Sequence, residues 1–221
     1  MNFEFLIFYG NRKTSFSYST DRKYPVQRTR SFQYKYVIQI HGLLVKGGLS
    51  ILTQLRKMQD CIRDYRLLLQ WYSTPQVQSY FTPSVATLEE TVKKYRPRIL
   101  GEHPCLPYII ETDDMPVGYL QIFPITDEEI VRYCAQPYQV PYGADLFIGN
   151  MSYLHKGIGS AALNSCKNLL KTEFDADVLC LDPRADNQAA LHCYQNCGGK
   201  IVRTYFDNNY QAKVCIFHIV L

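Results

Sequence analysis

The sequence predicts a single α/β domain with a partly antiparallel sheet, and three observations predict it. From residue 49 onward, short apolar runs alternate with segments of helical spacing. Two pairs of those runs are joined by short polar turns, the mark of hairpins. A Gly157-Ile158-Gly159 turn joins one strand to a helix. At 221 residues the chain fits one domain with an appendage at one end. The boundary falls near residue 48, with a basic, aromatic N-terminal extension over 1–47 and the folded domain over 48–221.

The elements follow in order. In the extension only Phe32, Tyr34, Tyr36, Ile38 and Ile40 alternate as a strand. A strand near 49–54 leads to a helix from about Asp60 to Tyr72, with Ile62, Tyr65, Leu69 and Tyr72 at helical spacing and Asp60 as its cap. A second helix starts at Thr87, whose capping-box partner is Glu90, and stops before Pro97. Strands over 106–111 and 117–124 flank an acidic turn. A Pro- and Tyr-rich loop precedes the strand that carries Asp145. A helix runs from Gly157 to about Lys171, followed by a strand over Val178–Leu181. Asp186 caps a helix bearing Ala190, Tyr194 and Cys197, and strands over 200–206 and 212–221 complete the chain.

Charge is divided unevenly. Residues 1–47 hold eight Lys/Arg against two Asp/Glu, whereas residues 48–221 hold 16 against 18. The body is therefore slightly acidic, which favours a cationic partner over nucleic acid. The eight cysteines show no C-x-x-C pairing, so a zinc site is not expected and the metal content is none. Several lie in apolar strands, as reduced thiols of a cytoplasmic protein do. The apolar start is too short for a span and lacks the features of a secretory signal.

The chemistry concentrates in YGADLFIGNMSYLHKGIG, residues 142–159. A glycine turn at a helix start leaves backbone N–H groups unpaired, and with the helix dipole these suit a phosphate. Asp145 sits a dozen residues upstream on a neighbouring element, placed to face an amine. Residues 157–162 also satisfy G-x-G-x-x-A, with Asp182 ending the next strand, so a nicotinamide or flavin enzyme competes. Against it, the first glycine does not follow its strand at once, and too little chain remains for a doubly wound sheet. Trp71, Tyr72 and Tyr142 offer flat faces for a sugar or cation, and Trp71 and Tyr72 serve equally well as core.

Five stretches resemble the GNAT-superfamily acetyltransferases, and within them the aminoglycoside 6'-N-acetyltransferases. They are LLLQWYSTPQVQSYF (67–81), PVGYLQIF (116–123), YGADLFIG (142–149), YLHKGIGSAAL (153–163) and LDPRADNQAALHCYQNCGG (181–199). The resemblance covers roughly 49–221. It implies a mixed, partly antiparallel sheet, splayed at the cofactor site and flanked by helices. It implies acetyl-CoA as acetyl donor, with the diphosphate on Lys156, Gly157, Ile158, Gly159 and Ser160 and the pantetheine beside Phe147 and Ile148. By the same resemblance Asn187 and Asp182 border cofactor and substrate, and Tyr194 stands near the thioester sulfur as a general acid.

The acceptor it implies is a primary amine of a polycationic small molecule, foremost the 6'-amine of an aminoglycoside. It is held by Asp145, Asp182, Tyr142, Trp71 and Tyr72 in a monomer or homodimer. A protein N-terminus, a polyamine and a non-catalytic CoA-binding domain are the alternatives. One departure is Gly198-Gly199, where the superfamily has Gly-Phe, and looser packing is expected there.

Overall fold

The computed structural model describes residues 52–81 and 86–221, together with the backbone of two N-terminal strands. Those strands, β1 (Glu4–Tyr9) and β2 (Arg12–Ser17), pair antiparallel in a two-stranded sheet that the sequence pattern had not suggested. The alternation over 32–40 lies outside the described residues, as does part of the strand expected over 49–54.

The main sheet has seven strands. They are β3 (Thr53–Lys57), β4 (Leu106–Thr112), β5 (Met115–Pro124), β6 (Pro141–Ile148), β7 (Val178–Leu181), β8 (Lys200–Asp207) and β9 (Ala212–Val220). Their order is β3-β4-β5-β6-β7-β9-β8, antiparallel at every neighbour except β6–β7, which is parallel. The β4–β5 turn is Asp113-Asp114, with φ of 50° and 62°. Two successive left-handed residues make the tight turn that matches strand twist, and short acids tolerate that conformation.

Strand periodicity divides the core. On one face, Tyr108, Ile110, Leu120 and Ile122 pack against α5 (Ile158–Phe174) and α6 (Gln188–Asn196). On the other, Ile109, Tyr119 and Phe147 meet α1 (Ile62–Tyr72), α2 (Pro75–Tyr80) and α3 (Leu88–Ile99). Residues two apart on a strand share a face, so Gln121 and Asp145 join Tyr119 and Phe147 beneath α1–α3. A third cluster gathers Phe123, Val178, Cys180, Val214 and Ile216 around Tyr133 of the short α4 (Ile130–Tyr133).

Three helix boundaries differ from expectation. The helix α1 begins at Ile62 behind Cys61. Asp60 instead accepts from Tyr65 Oη at 2.6 Å and pairs with Arg96. Thr87 and Glu90 form the expected capping box, but α3 runs through Pro97 to Ile99. Proline falls in the last turn, where its missing N–H costs one bond, and burial of the next residue, Arg98, holds the turn closed. The cap of α6 is Asn187, whose Oδ1 accepts from Ala190 N at 3.1 Å, because Asp186 is engaged by Arg184. The helix α2 was not expected; Pro75 at its first turn starts it. Among the described residues no helix is long and apolar enough to cross a membrane.

Candidate active site

The parallel pair β6–β7 is short. Pro141, Tyr142 and Gly143 pair with Val178, Leu179 and Cys180, and there the ladder ends. The strand β6 continues for five more residues, paired only with β5 on its other side. Ala144–Ile148 therefore borders a gap in the sheet, the splay that the resemblance implies. Phe147 is buried at the centre of an aromatic group, with Trp71, Tyr72, Phe81 and Tyr119 rings at centroid distances of 5.2–6.3 Å. Ile148 is half-buried on the opposite face.

Asp145 lies along this edge, and its surroundings were largely invisible in the sequence. It is directly opposite Gln121 of β5, whose Nε2 donates to Asp145 Oδ2 at 2.6 Å. Gln121 Oε1 accepts from Arg98 Nη1 at 2.6 Å and from Tyr119 Oη at 2.9 Å. An amide thus links a buried guanidinium to the carboxylate. Burial raises the Asp145 pKa above the usual carboxylate value, while the Gln121 bond and the charges of Arg98, Lys94 and Arg132 pull it down. Part of the Asp145 surface stays open to solvent, so the group is enclosed but reachable.

Lys94, one turn before Arg98 on α3, sits with Nζ over the rings of Tyr72 and Tyr95 at 5.9 and 5.3 Å. Burial, reinforced by Arg98, lowers its pKa to about 8. His103 is lowered to about 4 by burial and by the same two cations. The i, i+4 spacing of Lys94 and Arg98 on one helix and a glutamine inside the apolar run PVGYLQIF were the available signals.

The turn before α5 leaves its donors unused. Gly157 is left-handed, with φ 77°, and nothing lies within 4 Å of where its Cβ would stand. His155 also has positive φ, 59°. Among the described residues no acceptor meets the backbone N–H of Lys156, Gly157, Ile158, Gly159 or Ser160, and no side chain caps the helix. The first is an ordinary loop N–H and the last three belong to the opening turn of a 17-residue helix. A run of free donors on an exposed left-handed turn suits a diphosphate, and the adjoining gap is open to an extended chain. Lys156 Nζ lies 5.3 Å from the Tyr153 ring centroid, and Ser160 Oγ is 3.5 Å from Cys193 Sγ.

The remaining residues singled out from sequence are spread around this centre. Tyr194 is buried edge-on to Phe217 at 5.7 Å, and burial drives its phenol far above the ordinary value, so it carries its proton throughout the working range. Asp182 is held by Arg132 at 2.6 Å and by Tyr133 Oη at 3.3 Å, partners unforeseen from spacing. Asn187 spends its side-chain oxygen on the α6 cap. Trp71 is 3% exposed and packs over Gly149, where an added Cβ would fall 2.1 Å from the indole; it belongs to the core. Tyr72 is buried too, sharing a 2.8 Å hydrogen bond with Tyr95. Tyr142 is half-buried, tilted against Phe174.

The expected loosening at Gly198-Gly199 does not occur. A Cβ on Gly199 would lie 2.7 Å from the Tyr194 carbonyl oxygen and 3.0 Å from the Phe217 ring. Phe217 of β9, fully buried, already supplies an aromatic there. Among the described residues no cluster of His, Cys, Asp and Glu could hold a metal ion.

Comparison with known proteins agrees with this fold. Residues 60–205 match the acetyltransferase (GNAT) domain family. The aminoglycoside N(6')-acetyltransferases type 1 of Klebsiella pneumoniae and Serratia marcescens are each 24% identical over 169 residues, covering 76% of this chain and 82% of theirs. In structure the chain resembles the aminoglycoside acetyltransferase AAC(6')-Ib in complex with coenzyme A, with TM-score 0.61 and 21% identity over 76% of this chain and 95% of that one. It also resembles a spermidine N-acetyltransferase from Vibrio cholerae in complex with CoA and spermine, with TM-score 0.62 and 16% identity over 76% and 95%. The match spans most of the described sheet, the open turn before α5 and the Asp145 strand. The chain belongs to the acetyltransferase (GNAT) domain family, enzymes that take the acetyl group from acetyl-CoA.

Proposed function

We propose that this N-acetyltransferase acetylates a primary amine of a small molecule, with the acceptor nitrogen held at Asp145. The observation that carries the reading is an enclosed yet reachable carboxylate on the free edge of β6, joined to a buried guanidinium through Gln121. The N–H groups of 156–160 are suited to the diphosphate, and Phe147 and Ile148 border the gap where the cofactor arm fits. Bound there, acetyl-CoA would supply an activated thioester carbonyl.

The chain's own groups then divide the work. Asp145 orients the amine and takes up its proton, a task its raised pKa favours, since a carboxylate in the ordinary range is a weak base toward an ammonium. A backbone N–H on the free edge of β6, at Ile148, is the donor suited to a developing oxyanion. Tyr194 stays protonated, so its hydroxyl can donate a hydrogen bond to the departing thiolate, and the proton released by the amine balances the charge that leaves with it. Attack is direct, within one complex of both substrates.

The curated relatives support the 6'-amine of an aminoglycoside as acceptor, which would make the reaction resistance by drug modification. Asp145 suits one ammonium group of such a drug, while Lys94 and Arg98 disfavour others close beside it. The test follows thiol release from acetyl-CoA with kanamycin, spermidine and a peptide N-terminus. Release with a small amine and none with the peptide is expected. Release only with the peptide would overturn the reading, and so would the absence of release from any amine while the protein still binds coenzyme A.

A further inference from the structure

The β6–β7 register, carried two residues past its last pair, sets Asp145 opposite Asp182 across the gap. Strand alternation puts both on one face of the sheet, Asp145 with Tyr119 and Phe147, and Asp182 with Val178 and Cys180. Burial raises the phenols of Tyr133, Tyr194 and Tyr210, and both carboxylates add to the rise in each. The same three rings therefore lie within electrostatic reach of both acids. Two carboxylates facing each other across a cleft suit an acceptor with two ammonium groups.

One of those two places is already filled by the chain itself. Arg132 of α4 donates from Nη2 to Asp182 Oδ2 at 2.6 Å and from Nε to Tyr205 Oη at 3.1 Å. Its guanidinium also lies 5.0 Å from the Tyr133 ring centroid, so contacts on three sides fix it. The same charge acts on Asp145. The Arg132 and Asp182 side chains keep 20% and 19% of their surface open, so the pair is not sealed in the core. A second ammonium would have to displace Arg132 or sit beside it, where partial burial weakens screening.

From the juxtaposition of Asp145, Asp182 and Arg132 we infer that Arg132 stands in for a second ammonium of the acceptor. The preferred acceptor brings one ammonium, for Asp145, and is uncharged where it faces Asp182. The inference rests on Asp145 as the amine-binding group and narrows the small-molecule amine to a monocationic class. Arg132 acts through Asp182, as a positioning residue that sets specificity against a second charge.

The test compares aminopentanol with cadaverine, which has the same carbon chain with an ammonium in place of the hydroxyl; kanamycin represents the polycations. Each is titrated calorimetrically into the coenzyme A-loaded protein, and thiol release from acetyl-CoA gives KM and kcat in parallel. Aminopentanol should bind about tenfold more tightly than cadaverine to the unaltered protein. Arg132→Gln gives up Asp182, so KM for cadaverine should fall below that for aminopentanol while coenzyme A affinity, which reports an intact fold, is unchanged. Arg132→Lys returns a cation to Asp182 and should restore the original order, a rescue that a purely structural role of the guanidinium does not predict. Adding Asp182→Asn to Arg132→Gln should abolish the gain for cadaverine. Equal or tighter binding of cadaverine or kanamycin by the unaltered protein overturns the inference, as does an order that Arg132→Gln leaves unmoved. Where Arg132→Gln loses coenzyme A, the unaltered protein and Arg132→Lys decide, both being required to favour aminopentanol. If aminopentanol is preferred but no amine is acetylated, the inference stands and the proposed reaction fails. Should kanamycin or cadaverine be acetylated in preference to aminopentanol, the reaction stands and the inference fails.

Discussion

Gln121 and Asp145 face each other across the β5–β6 ladder, and the 2.6 Å bond between them joins Arg98 to the carboxylate through an amide. Gln121→Leu keeps the volume but strands both ends. A buried guanidinium losing its acceptor should cost about 2–3 kcal/mol, seen as a lower midpoint in urea. The Gln121 bond is also what lowers the Asp145 pKa most. Asp145 acts as a carboxylate, so activity is full above its pKa and falls as pH drops through it. Without Gln121 the acid limb of kcat/KM should move to higher pH; an unmoved limb would separate Asp145 from the reaction.

Asp145→Asn tests the carboxylate itself. On the proposed reading it should lower turnover about 100-fold, the low end for loss of a proton-transfer group, with coenzyme A affinity unchanged. Because burial raises the Asp145 pKa, the charge is a burden on the folded state near neutral pH. The melting temperature at pH 7 should therefore not fall with turnover.

Gly157→Ala isolates the backbone of the anion turn. Open space surrounds the position, so the new methyl strains only φ 77°. A left-handed alanine costs about 1 kcal/mol, or roughly 2–4 °C in melting temperature for a chain of this size. Coenzyme A affinity should weaken beyond that small loss, as the donors on either side turn away. Calorimetry of the variant with coenzyme A reads this, and unaltered binding would mean the diphosphate lies elsewhere.

His103 gives a stability signature in acid. Its folded pKa is about 4, against an ordinary value near 6.5, and its Nδ1 accepts from Cys105 N at 3.0 Å. Between those values the unfolded chain binds the extra proton, so stability declines as pH falls from 6.5 to 4 and then levels off. Asn at 103 retains an acceptor but no titration. Denaturation midpoints of His103→Asn should lack that decline, and parallel curves for both proteins would exclude the histidine.

The parts of the molecule that were legible in the sequence are those set by local chemistry. The Thr87–Glu90 capping box, the Asp113-Asp114 hairpin, the 178–181 strand and the glycine turn each declare themselves within a few residues. Asp145 and the open turn could be picked out for the same reason. What escaped was produced by register and packing between distant segments. Gln121 meets Asp145 24 residues away, Arg98 meets Gln121 from a helix that a proline was expected to end, and Arg132 meets Asp182 from an apparent loop. Trp71 read equally well as cleft or core until Gly149 was seen beneath it. Caps competed locally as well: Asp186 lost to Asn187 because Arg184 claimed it.

The three-residue β6–β7 seam has a mechanical consequence. Strands β3–β6 and strands β7–β9–β8 are two plates riveted at one end. Along Ala144–Ile148, alternate peptide groups point away from β5 and have no strand paired with them on that side. On the proposed reading, deuterium should enter those amides quickly and slow sharply once coenzyme A is added; unchanged exchange would mean that the ligand does not lie along this edge.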